Sequence, residues 1–233
     1  MTEGLHVDRD GDLLVVTVDR GDANRLSSDI CRALTEVLED PDGVHVLHLR
    51  AEGEAFCLGR DRAAEDPATL RGEVRALIDL NEALRRSAVV TVAEVQGDAA
   101  GFGVGLAALC DMSVAARSAR FWFPEVEIDL APTVVLSWLP RRVGELRAFH
   151  LTATGERVSA DDAVAMGLLT VAVDDGELST RAKAEVERLR SFQPWVHEQI
   201  KGFLGAAADL TEGQAYELAT ERLILGSMTR RRG

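Results

Sequence analysis

Cysteine is scarce in this chain. Cys31, Cys57 and Cys110 are the only three in 233 residues, and they share no metal-binding or redox spacing. An odd, unspaced set excludes a disulfide framework and points to a reducing compartment. Positive charge is short as well. Lys and Arg number 26 against 39 Asp and Glu, giving a net charge of −13 and an isoelectric point near 4.8. That balance argues against nucleic acid as a general partner. The opening MTEGLHVDRDG lacks an apolar leader core, and no apolar run reaches membrane-spanning length. The expectation is a soluble, cytoplasmic protein with no membrane partner. No G-x-S-x-G elbow, P-loop or H-E-x-x-H pair occurs, which removes those routes to a nucleophile, a nucleotide or a zinc ion. His45 and His48 are three apart on a predicted strand and point to opposite faces. His6, His150 and His197 are isolated, so no metal site is expected.

What is present suits one α/β domain. Apolar residues make up 46% of the chain, enough at this length for a sizeable core. Strands are predicted at Leu5–Asp8 and Leu13–Asp19, joined by an Asp10-Gly11 hairpin signal. Ser27 or Ser28 caps a helix to about Glu39. A strand at Val44–Arg50, a helix at Thr69–Arg85 and a strand at Val89–Val95 follow. A glycine turn then leads into a helix from about Gly103, and strands come at Met112–Ala116 and at FWF, 121–123. Beyond Val134 the chain reads helical, broken by a short strand at Leu169–Val173. Ala182–Leu189 and Ala215–Leu225 carry apolar residues at helical spacing. Asp174-Asp175-Gly176 divides a core, 1–173, from a C-terminal helical region, 174–233, without a flexible linker. The basic TRRRG run at 229–233 reads as a solvated end.

Three stretches carry chemistry. In VQGDAAGFGVGLAALCD, 95–111, a strand enters a Gly- and Ala-rich turn and then a helix, which aims free backbone N–H groups at one point. Such a place stabilises an anion or an oxygen about to become one; the same pattern also serves as a tight packing turn. AFCLGRD, 55–61, follows another strand and ends in a second glycine turn, so two turns could clamp one carbonyl oxygen. In FWFPE, 121–125, Pro124 holds Phe123 extended and sets Glu125 at a strand end among apolar neighbours. A carboxylate desolvated there has a raised pKa and can carry protons. Glu127 and Asp129 share a face with Glu125 if 125–129 is extended, and lose that face if a turn intervenes; a solvated acidic edge is the simpler reading. Glu94 interrupts a buried strand and reads as a paired group. Cys57 has no base beside it and reads as a spacer.

These pieces, with FPEVEIDLAP (123–132), LPRRVG (139–144) and TATGERVSADDAVAMGLLTVAV (152–173), resemble the crotonase superfamily, the enoyl-CoA hydratases and isomerases. The resemblance runs from about Leu5 to about Glu217. It implies a spiral α/β core of repeated ββα units with C-terminal helices, a homotrimer or dimer of trimers, and a coenzyme A thioester as substrate with no permanently bound cofactor. By position it implies oxyanion-hole amides at Leu58 and Phe102, and Glu125 as the catalytic carboxylate. Arg60 and Arg62 are candidates for the coenzyme A phosphates, though they also read as ordinary exposed arginines.

The departures from the family are as informative. Hydratases of the family carry a second glutamate where this chain has Gly105. Proton shuttling between the α and γ carbons needs one carboxylate, so isomerisation is slightly preferred over hydration. Dienoyl isomerases carry an aspartate where this chain has Thr133, which disfavours that activity. Phe102 replaces a glycine and narrows the site. The C-terminal region reads as shortened relative to the family. Two further readings stay open: a biosynthetic enzyme that forms C–C bonds, decarboxylates or hydrolyses through the same enolate, and a non-catalytic subunit that binds a thioester or a partner.

Overall fold

A computed structural model describes residues 2–62 and 66–230. The alternating apolar pattern of the early chain gives β1, Leu5–Asp10, and β2, Leu13–Val18, paired antiparallel with Leu5 opposite Val18. Ser27 caps α1, Ser28–Glu39, by accepting from the Ile30 amide. After β3, Val46–Ala51, comes α2, Pro67–Arg86. It begins two residues before the predicted start because Asp66 caps it and Pro67 takes its first turn. β4, Val90–Val95, and the two-residue β5, Ala99–Ala100, lead into α3, Phe102–Leu109. β6, Met112–Ala116, and β7, Arg120–Trp122, follow.

A 3-10 turn spans Pro124–Ile128, before the short helices α4, Thr133–Leu136, α5, Leu139–Val143, and α6, Glu145–Thr154. Then come β8, Val158–Ser159, α7, Ala160–Ala165, and β9, Val171–Val173. The chain closes with α8, Leu178–Arg190, α9, Pro194–Ala207, and α10, Glu212–Arg230. The basic run at 229–233 sits at and beyond the edge of the described residues. β8 has no sequence signature, being two residues long and held by its pairing to β7.

The main sheet runs β1-β2-β3-β4-β6-β9, parallel from β2 onward. A second sheet is ordered β5-β7-β8. A parallel sheet must be covered on both faces. Alternation along the strands does this. Leu47, Leu49, Ala93 and Val95 pack toward Ile30 and Leu34 of α1, Leu80 of α2 and Val104 of α3. The intervening Val46, Val90 and Val92 meet Val186 of α8, and Val114 and Ala116 meet Leu178 and Ala182. The paired reading of Glu94 is met here, since its carboxylate lies 2.8 Å from His48 Nε2, with both side chains buried. His45 and His48 point to opposite faces as expected. His45 stacks on His197 of α9, with 3.0 Å between ring nitrogens. Lys201 ties α9 to the core through Asp111 at 2.7 Å and the Val89 carbonyl at 2.6 Å.

Asn24 fixes the approach to the site. It is fully buried, has φ 43 and accepts from the Arg20 amide. Its amide nitrogen donates to the carbonyls of Glu52 at 2.6 Å and Ala55 at 2.8 Å. Asn24→Ala strands the Glu52 carbonyl and the Arg20 amide, leaves the Ala55 carbonyl to Gln96 alone, and forces alanine into a left-handed conformation. The expected loss is about 2–4 kcal/mol, read as a lower urea midpoint at unchanged slope.

Candidate functional site

The two predicted turns lie side by side. Cys57 forms a parallel bridge with Ala99, and the Ala100 amide donates to the Cys57 carbonyl at 2.9 Å. Gly103 permits this, because a Cβ there would run into the Cys57 carbonyl. Beside the junction lies a cavity of about 620 Å³ lined by Leu58, Gly59, Arg60, Gly101, Phe102 and Glu125, with an apolar wall that includes Leu70, Leu77, Ile128 and Trp138. AFCLGRD, the glycine turn and FPE are thus brought together at one concave place.

The amides of the first turn are arranged differently from the expectation. The Leu58 N–H is engaged, donating to the Ala23 carbonyl at 2.8 Å. A bridge between Leu26 and Arg60 uses the Gly59 carbonyl and the Asp61 amide. Alternation therefore turns the Arg60 amide away from Leu26, and it has no acceptor among the described residues. In the second turn, Phe102 is the first residue of α3, and its amide likewise lacks an acceptor among the described residues, as the first turn of a helix must.

Glu125 sits in the 3-10 turn that Pro124 opens, after an extended Phe123 at φ −119. Its Oε2 is enclosed without a hydrogen-bond partner. Burial pushes its pKa above the ordinary glutamate range, partly offset by its own backbone and by Arg62 and Arg60. The carboxylate lies against the turn: a Cβ on Gly101 would stand 2.6 Å from Oε1. Gly101 also has φ 52 and ψ −117, open to glycine alone.

The tight turn at 125–129 breaks the shared face that an extended segment would have given. Glu127 still lines the cavity. Asp129, left-handed at φ 56, closes the turn and faces a neighbouring depression with Leu130 and Phe149. Arg60 and Arg62 both line the cavity, but the Arg60 guanidinium is held by Glu73 at 3.1 Å. Arg25 lines it too, unforeseen because it precedes the motif by some thirty positions in the chain. Trp138 was equally unforeseen, lying in a stretch that reads only as helical. Gly105 lines the cavity beneath the Trp138 ring. The Cys57 thiol is pushed up to about 12 by burial, which suits a spacer and not a nucleophile. Among the described residues no group of three or more His, Cys, Asp or Glu could hold a metal, and no helix is long and apolar enough to cross a membrane.

Comparison with known proteins establishes the family and the fold. The chain belongs to the enoyl-CoA hydratase/isomerase family, whose model matches residues 8–230, and its fold is the crotonase fold. It is 31% identical to a probable enoyl-CoA hydratase of Rhodobacter capsulatus, over 86% of this chain and 89% of that protein. It is also 31% identical to an (E)-benzylidenesuccinyl-CoA hydratase of Thauera aromatica, over 86% and 82%. The crystal structure of an enoyl-CoA hydratase of Mycobacterium smegmatis superposes with a TM-score of 0.92 at 29% identity, covering 97% of this chain and 92% of that one.

The burial of Glu125 sets a pH dependence. Its proton is held more tightly in the folded state, so stability falls as pH rises from the ordinary glutamate pKa through the raised one. Glu125→Gln removes that effect. The variant is expected to melt higher than the wild type at about pH 8 and at the same temperature at about pH 4, where the wild-type carboxyl is itself protonated. Calorimetric melts across this range check it; equal melting temperatures throughout would contradict the assigned burial.

Proposed function

We propose that this protein performs enolate chemistry on a coenzyme A thioester and that the reaction is double-bond isomerisation. The observation that carries the reading is the Glu125 carboxylate, whose Oε2 is enclosed without a partner, set beside a turn whose Phe102 amide lacks an acceptor among the described residues. The thioester oxygen would accept from the amides of Phe102 and Arg60, the latter replacing Leu58 as donor. Glu125 would take a proton from one allylic carbon as the electron pair moves onto that oxygen. It would then return the proton at the other end of the conjugated system, leaving the double bond shifted. The raised pKa suits a group that must both accept and give a proton. Arg25 and Arg62 at the cavity would meet the phosphates, with Arg60 supplying its amide while Glu73 holds its side chain.

Hydration is the second reading, favoured by Glu127 in the same cavity and by relatives named as hydratases. α-Proton exchange of acyl thioesters in deuterated water, with product analysis on 2-enoyl and 3-enoyl thioesters, separates the cases. Glu125→Gln is expected to bind thioester and to lose exchange by about 10²–10⁴-fold. Hydration that depends on Glu127 would favour the second reading. Binding without exchange in the wild type would favour a non-catalytic subunit, and no binding at all would remove the thioester reading.

The assembly proposed is a homotrimer or a pair of trimers. Ile200 and Leu204 of α9 and Tyr216, Leu223 and Ile224 of α10 are exposed, a larger apolar display than a monomer ordinarily leaves in water. Light scattering at micromolar concentration is expected to give a trimer mass or twice it; a monomer would overturn the proposal.

A further inference from the structure

The thioester reading leaves one polar atom of the cavity without a task. Gly105 lies three residues beyond Phe102 on α3, about 4.5 Å along the helix axis. The Trp138 indole rests against it: a Cβ at 105 would stand 3.4 Å from Cζ2 and 3.8 Å from Nε1. Trp138 is only 5% exposed, and it lines the cavity. Its ring N–H has no acceptor among the described residues, and it is not among the fully enclosed unpaired atoms, so it opens to the cavity. A buried indole N–H ordinarily finds a partner. The side chains beside it, Leu77, Val134 and Val135, offer none. The Thr133 hydroxyl is a second polar group of this wall, but Thr133 is exposed where Trp138 is not. Arg25 and Arg62, the cations proposed for the phosphates, are also exposed, which puts Trp138 at the acyl end of a bound thioester.

We infer that Trp138 is a specificity-determining residue: its N–H donates to a carbonyl oxygen carried by the acyl group beyond its β-carbon, on an otherwise apolar chain. The preferred thioester is then an oxoacyl-CoA. The indole lies over Gly105, where a Cβ would meet it in ordinary contact, so the wall that replaces a carboxylate there supplies a donor in place of an acceptor. Sites that present a buried polar group discriminate strongly against ligands that leave it unpaired.

The test compares hexanoyl-CoA with 4-oxopentanoyl-CoA and 5-oxohexanoyl-CoA by titration calorimetry. The wild type is expected to bind at least one oxo thioester about 10-fold more tightly than hexanoyl-CoA, the worth of one buried neutral hydrogen bond. Trp138→Phe keeps a ring and removes the donor, and the ratio is expected to fall to about one. Gly105→Ala, which adds a methyl group in ordinary contact with the indole and keeps the donor, is a second variant expected to retain the ratio. A wild type without preference, as when a water satisfies the N–H equally well, overturns the inference. So does a preference that survives Trp138→Phe. If hexanoyl-CoA binds and the preference is missing, only this inference falls; if none of the three binds, the thioester reading falls with it.

Discussion

The site depends on one close contact between backbones. The turn after β3 and the turn after β4 run against each other through the Cys57–Ala99 bridge, and Gly103 lets α3 start directly on the Cys57 carbonyl. Nothing larger than hydrogen fits at 103. With this contact made, Phe102 at the helix start and Arg60 at the Leu26 bridge both line one cavity. Neither amide has an acceptor among the described residues: Phe102 opens a helix, and alternation turns the Arg60 amide away from Leu26. Asn24 braces the arrangement from behind through the Glu52 and Ala55 carbonyls.

The electrostatics follow from that packing. Glu125 is brought against Gly101 by a turn that Pro124 initiates, and burial raises its pKa against only a partial offset from two arginines. Glu73 holds one of those arginines in place, which keeps the positive charge near the carboxylate from collapsing onto it. The opposite wall is apolar and aromatic. Trp138 lies over Gly105 on that wall, while the Glu125 Oε2 is enclosed and Glu127 is exposed.

Much of this was legible in the residues. The β-branched runs gave the parallel strands, Ser27 marked a helix start, and AFCLGRD, the glycine turn and FPE named the elements of the cavity. The proposed oxyanion donor shows where reading by position stops. Leu58 and Arg60 are two residues apart, and which amide is free is decided by the Ala23 carbonyl and the Leu26 bridge, partners more than thirty positions away. Asp129 is a similar case. Its position relative to Glu125 turned on whether 125–129 was extended or coiled, and the 3-10 turn sends it to the other side.

The sequence by itself determined the periodicities, the breaks and the chemistry-bearing residue types, because those depend on local backbone sterics and on which side chains must leave water. The tertiary structure decided which amides lacked partners, which arginine was already paired, and that Trp138 would lie on Gly105. Each of those is settled by an atom from a distant segment. A hydrogen bond or a van der Waals contact reaches only a few ångströms in space, whatever the separation along the chain.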